Sequence, residues 1–140
     1  LRQLVTGQRR ELHQSNYLAG IGLIRERQIH TMWLFTKTGF VSAVYKNDRL
    51  EVRARDADSL ESLAQMIDAS IICTPLGDYP YRVFTTNKDF SKWVARQIAD
   101  LDYSNFKSEI AATRGYDFAK PLNKVWSVMH DVEDSEARMR

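Results

Sequence analysis

Leu50-Glu51-Val52-Arg53-Ala54-Arg55, and the run Asp56-Ala57-Asp58-Ser59-Leu60-Glu61 that follows it, decide how this chain folds. The first six residues alternate strictly. Leu50, Val52 and Ala54 share one side and Glu51, Arg53 and Arg55 the other, the period-two pattern of a strand with one buried and one wet face. The next six change period: Asp58 and Glu61 have the spacing of a capping box, and Leu60, Leu63, Ala64 and Ile67 then recur at helical intervals. A half-buried strand that passes within a few residues into an amphipathic helix predicts a helix lying on the strand's apolar side.

Upstream, Met32 to Thr36 and Phe40 to Tyr45 are β-rich runs flanking Lys37-Thr38-Gly39, which reads as a hairpin loop, and Lys46-Asn47-Asp48 is the next turn. Downstream, Ser70 to Thr74 is a short β-branched run containing Cys73, ended by Pro75, Gly77 and Asp78. Tyr79 to Thr85 resumes as a strand, with Pro80 removing a ladder donor. Asn87 is the expected cap of a helix striped by Phe90, Trp93, Val94, Ile98 and Leu101. Ser104 is the expected cap of a further helical stretch carrying Phe106 and Ile110, and a last helix uses Leu122, Val125, Trp126 and Met129. The order β-β-β-α-β-β-α-α-α predicts an α+β two-layer sandwich: a mainly antiparallel sheet of about five strands with three helices on one face, ferredoxin-like or related. The other sheet face is left for water or a partner.

A chain of 140 residues with 44% hydrophobic and 27% charged side chains fits one compact domain with a sizeable core. One cysteine excludes an internal disulfide, which points to a reducing, cytoplasmic setting, and no apolar run approaches the roughly 20 residues needed to span a bilayer. The net charge of +2 conceals an asymmetry: residues 1–31 carry five arginines against two acids, whereas residues 32–140 carry 15 basic and 16 acidic side chains. The expected organisation is a basic N-terminal arm or upstream extension over residues 1–31, a single α+β domain over 32–132 and a frayed tail over 133–140, with Met32 as the natural start.

Residues 32–130 also resemble a group of small bacterial proteins of no known activity that begin Met-Trp-Leu-Phe-Thr and continue with Gly-Phe. The residues that carry the likeness are Met32-Trp33-Leu34-Phe35-Thr36, Gly39-Phe40, Val52-Arg53-Ala54-Arg55, Thr74-Pro75, Asp78-Tyr79, Tyr81-Arg82, Asp102-Tyr103-Ser104-Asn105-Phe106-Lys107 and Val125-Trp126-Ser127-Val128-Met129. The resemblance implies no chemistry.

Catalytic signatures are missing: there is no Gly-x-Gly-x-x-Gly, Walker loop, Gly-x-Ser-x-Gly elbow or His-Glu-x-x-His. His13, His30 and His130 share no ligand spacing with Cys73, so no metal and no cofactor is expected, and Cys73, inside an apolar run, is expected to be a buried inert thiol. The candidate ligand-binding residues are Arg53, Arg55, Asp78, Tyr79, Tyr81 and Arg82. On the functional reading the three arginines grip an anionic partner, with Tyr45, Tyr79 or Tyr81 as stacking surfaces; on the plainer one Asp78 closes a turn, the tyrosines pack and Arg82 is solvated. A second cluster, Tyr103, Asn105 and Lys107, reads either as a helix joint or as a binding site. Trp33, Trp93 and Trp126 are expected in the core.

Three function classes follow. The first is a non-catalytic binding or regulatory module for nucleic acid, a nucleotide or an acidic protein surface. The second is a protein-interaction or defence accessory domain, with a homodimer through the open sheet face as one form. The third is a small enzyme using Asp78, Tyr81 and Arg82. The first is the expectation, because no histidine stands near that trio and arginine cannot serve as a base.

Overall fold

The computed structural model describes residues 30–133, where five strands form one open sheet. They are β1 (His30–Thr36), β2 (Gly39–Lys46), β3 (Arg49–Ala54), β4 (Ile72–Cys73) and β5 (Tyr81–Thr85), in the spatial order β1-β2-β3-β5-β4 with every neighbouring pair antiparallel. The helices are α1 (Asp58–Ile67), α2 (Asn87–Ala99), α3 (Phe106–Arg114) and α4 (Tyr116–Val128), followed by a 3-10 turn at Met129–Val132. The class is α+β and the element order is the one the periodicities predict. It is not the β-α-β-β-α-β order of a ferredoxin-like unit. The arm and the tail lie outside the described residues, except that His30 and Thr31 already pair with Tyr45 and Val44 in β1 and Glu133 follows the 3-10 turn. The strand therefore starts two residues before Met32.

Local chemistry explains the connections. Asn47 and Asp48, both at positive φ, make the two-residue β2–β3 turn, a geometry whose twist suits a hairpin. Gly39, at φ +147°, opens β2 where the chain passes against α1 and α3. A Cβ there would stand 2.1 Å from Ser59 Oγ and 2.8 Å from an Arg114 guanidinium nitrogen, so no larger residue fits without displacing both. The helix caps sit one or two residues from the expected positions. Asp56, not Asp58, accepts from the Ser59 amide at 2.9 Å; Thr86, not Asn87, accepts from Asp89 at 3.1 Å; Asn105, not Ser104, accepts from Ser108 at 3.1 Å. In each case the residue chosen is the one whose side-chain oxygen reaches an otherwise unpartnered first-turn amide.

Alternation divides the sheet into two environments. On one face Met32, Ala43, Val52 and Val83 lie in one cross-strand row, and Val41, Leu50 and Ala54 extend it. Leu60, Leu63 and Ala64 of α1 and Phe90 and Trp93 of α2 cover this face, with the Phe90 and Trp93 rings stacked at 5.6 Å and the indole N–H donating to Ser62 Oγ at 2.9 Å. The expected layer of three helices is thus two helices over the sheet plus a helical hairpin. The helices α3 and α4 pack on each other and contribute nothing to that buried cluster. Arg114, the last residue of α3, ties the hairpin to the sheet's end: its guanidinium donates to the Thr38 carbonyl and to Asp56 Oδ1, the latter at 2.9 Å, and lies over the Phe118 ring.

Candidate functional site

On the opposite face, one row crosses all five strands: Trp33, Ser42, Arg53, Arg82 and Ile72 are successive cross-strand neighbours. The next row is Thr31, Val44, Glu51 and Phe84. Lys46, Arg49 and Arg55 share this side by alternation, which places five basic side chains beside Glu51 and Asp78 on a face that neither α1 nor α2 covers.

Each cation has a distinct set of partners. Glu51 is only 2% exposed and takes Arg82 Nη1 at 2.9 Å on one carboxylate oxygen and Lys46 Nζ at 3.1 Å on the other. Arg82 also donates to the Tyr79 carbonyl at 3.3 Å, so it anchors the loop before β5 as well as the acid. Arg55 donates to both the carbonyl and the carboxylate of Asp78, at 2.8 and 3.1 Å, in an exposed pair that contributes little to stability. Arg49 lies 3.7 Å over the Phe84 ring. Arg53 donates to Ser42 Oγ at 3.3 Å and, like Arg49, forms no ion pair among the described residues; its buried Nε, like that of Arg82, has no acceptor. The guanidinium carbons of Arg53 and Arg55 stand 4.7 and 4.6 Å from the Tyr79 ring centre.

The structure brings together Arg53, Arg55, Asp78, Tyr79 and Arg82 and separates Tyr81 from them. In β5, Tyr81 and Arg82 point to opposite faces, and Tyr81 packs against the apolar cluster under the helices. Asp78 pairs with Arg55 rather than Arg82. The trio Asp78, Tyr81 and Arg82 therefore has no common site, and the arrangement that the third function class would use is not formed among them. Tyr79 is 7% exposed and already flanked by two guanidinium groups, while Tyr45 is on the helix side; neither offers a stacking surface on this face.

The ring that does so is Trp33, which was expected in the core and is 65% exposed at the end of the arginine row. It meets Phe40 edge-on at 5.7 Å, and Phe40 in turn stacks on Phe35 at 4.7 Å. Sequence alone does not expose it, because Met32, Trp33, Leu34 and Phe35 make both faces of β1 apolar and erase the alternation. Glu51 was missed for a different reason: its side of the strand was legible, but the two cations that bury it come from β2 and β5.

In the second cluster Asn105 is occupied as the α3 cap, Lys107 Nζ lies 3.8 Å over the Trp126 ring, and Tyr103 does not join them around the nearby cleft. Asn105, Lys107 and Trp126 border a shallow cleft of about 330 Å³ closed on one side by Phe35. Trp126 is thus a second indole outside the core; of the three, Trp93 alone is sealed within it. Cys73, expected to be buried, is exposed, because it sits in a two-residue strand at the edge of the sheet. Among the described residues no group of three His, Cys, Asp or Glu side chains is placed to hold a metal ion, and no helix is long and apolar enough to cross a membrane.

What the fold and site define is an α+β domain with one sheet face closed by helices and the other carrying an arginine row that ends in an exposed indole. Compared with protein-family models, with curated proteins and with solved structures, the chain finds no match in any of the three.

Proposed function

We propose that this protein is a non-catalytic binding module that takes a single-stranded nucleic acid across the sheet face that α1 and α2 leave open. The observation that carries the reading is the row Trp33, Ser42, Arg53, Arg82: an exposed indole two strands from a guanidinium that, among the described residues, has no carboxylate of its own. An aromatic platform beside a cationic groove suits a ligand with alternating planar and anionic groups, the bases and phosphates of an unpaired strand. The near-neutral charge of residues 32–140 does not oppose this, since the basic excess is local: five cations and two acids share the face. In the same reading the compartment is cytoplasmic, consistent with a single exposed cysteine.

Fluorescence anisotropy of labelled single-stranded RNA and DNA, titrated with the full chain over a salt series, tests it. Binding is expected to weaken linearly in log Kd against log salt, and the Arg53→Ala/Arg55→Ala variant to lose roughly tenfold and to flatten that slope. Trp33→Ala is expected to cost affinity without changing the slope, since stacking releases no counterions. Unchanged affinity in both variants would remove the face from consideration. Acidic protein partners would then be the next ligands to titrate.

A further inference from the structure

We infer that the outer edge of β1 pairs antiparallel with β1 of a second copy of this chain, joining two sheets into one. Seven residues long, β1 is an edge strand among the described residues, and its sequence has none of the features by which sheets protect an edge, no proline, no lysine and no carboxylate; of the described helices only the α3–α4 hairpin comes near it, at the Phe35 end. Its side chains are unusually exposed for their chemistry, with Met32, Trp33 and Phe35 all open to solvent.

The sequence of β1 is complementary to itself. Trp33 is the fourth of the seven residues His30-Thr31-Met32-Trp33-Leu34-Phe35-Thr36. A two-fold axis through it, normal to the sheet, sets Trp33 against Trp33 of the other copy, Met32 against Leu34, Thr31 against Phe35 and His30 against Thr36. Apolar residues meet at the centre and polar ones at the ends, and no pair brings like carboxylates or ammonium groups together. Antiparallel order also adds area beyond the strand. The Phe35 end of β1 lies beside Val125 and Trp126 of α4, whose exposed apolar strip continues through Val128 and Met129, so pairing brings that strip next to the other copy's His30 end.

The inference deepens the reading of the arginine face and, for its consequence there, rests on it. Rotation about an axis normal to the sheet leaves both arginine-bearing faces on the same side. The two Arg53 rows then lie five strand spacings apart, about 24 Å at about 4.8 Å per spacing, with both Trp33 rings between them. One continuous anionic strand passing from row to row is the ligand that such a double face takes.

The pairing is tested without any ligand, so its failure and that of the nucleic-acid reading are separable. Sedimentation velocity of the full chain across the micromolar range, with reductant present to keep the exposed Cys73 from linking copies, is expected to show a species of twice the chain mass. Trp33→Lys is expected to return it to the mass of one chain with an unchanged far-UV circular dichroism spectrum, and Thr31→Lys to do the same from a smaller side chain should the first variant fold poorly. A wild-type chain of single mass at every concentration, as when another segment of the chain covers β1, overturns the inference. So does a dimer that survives both folded variants, since it must use another surface.

Discussion

The two faces of this sheet are made by the same strands and differ in almost everything else. On the helix side Ala43, Val52 and Val83 meet α1 and α2 and are buried. On the other, Ser42, Arg53 and Arg82 occupy adjacent positions, yet Ser42 and Glu51 are as inaccessible as any core residue. The first face is closed by apolar area and the second by long cationic side chains lying over it. Such a charged cover holds its residues in place through ion pairs and ring contacts while leaving guanidinium groups at the surface, which an apolar cover cannot do.

If that contrast is right, the largest effect comes from the helix side. Trp93 is 1% exposed, stacks on Phe90 and donates to Ser62, so Trp93→Ala is expected to lower the unfolding free energy by about 3–5 kcal/mol in urea titrations. A loss below about 1 kcal/mol would mean that the α2–sheet contact does not hold the fold together.

The second effect sharpens the comparison, because it asks whether the charged cover is itself structural. Arg82→Ala leaves the Glu51 carboxylate buried with Lys46 alone, and a loss of roughly 3 kcal/mol is expected, near the low end for a broken buried pair because one cation remains. Replacing both partners, Glu51→Leu with Arg82→Leu, removes the charge that needed compensation and is expected to return stability to within about 1 kcal/mol of the wild type. If the single and double variants were equally destabilised, the cost would lie in packing and not in the stranded carboxylate. Arg82 is accordingly a poor choice for probing ligand binding, whatever it contributes there.

What the sequence reveals of this molecule follows the same division. The alternation of Leu50 to Ala54 fixes which residues of β3 face the helices, and the helical spacing of Leu60, Leu63 and Ala64 identifies the buried side of α1, because both patterns are local. Tyr81 and Arg82 are near one another along the chain, but consecutive strand residues face opposite ways. The apolar neighbours of Cys73 predict burial, but burial depends on where its strand falls in the sheet, and the order β1-β2-β3-β5-β4 leaves it at an edge. The Glu51 cluster joins Lys46, Glu51 and Arg82 from three strands, a register that no local pattern encodes.

The smallest stability effect belongs to Arg53, and there the comparison is most easily broken. Its neighbour Arg82 is held by a buried acid; Arg53 has a 3.3 Å contact to Ser42 and a position by the Tyr79 ring that Arg55 also flanks. Losing one such ring contact is expected to cost about 1 kcal/mol or less, so thermal melts of Arg53→Ala should fall close to the wild type. A functional group and a structural one part company here, because the same substitution is expected to weaken nucleic-acid binding. Were Arg53→Ala to destabilise the domain as much as Arg82→Ala, the two arginines would form one structural unit, and Arg53 would be a structural group and not a cation available to the binding face.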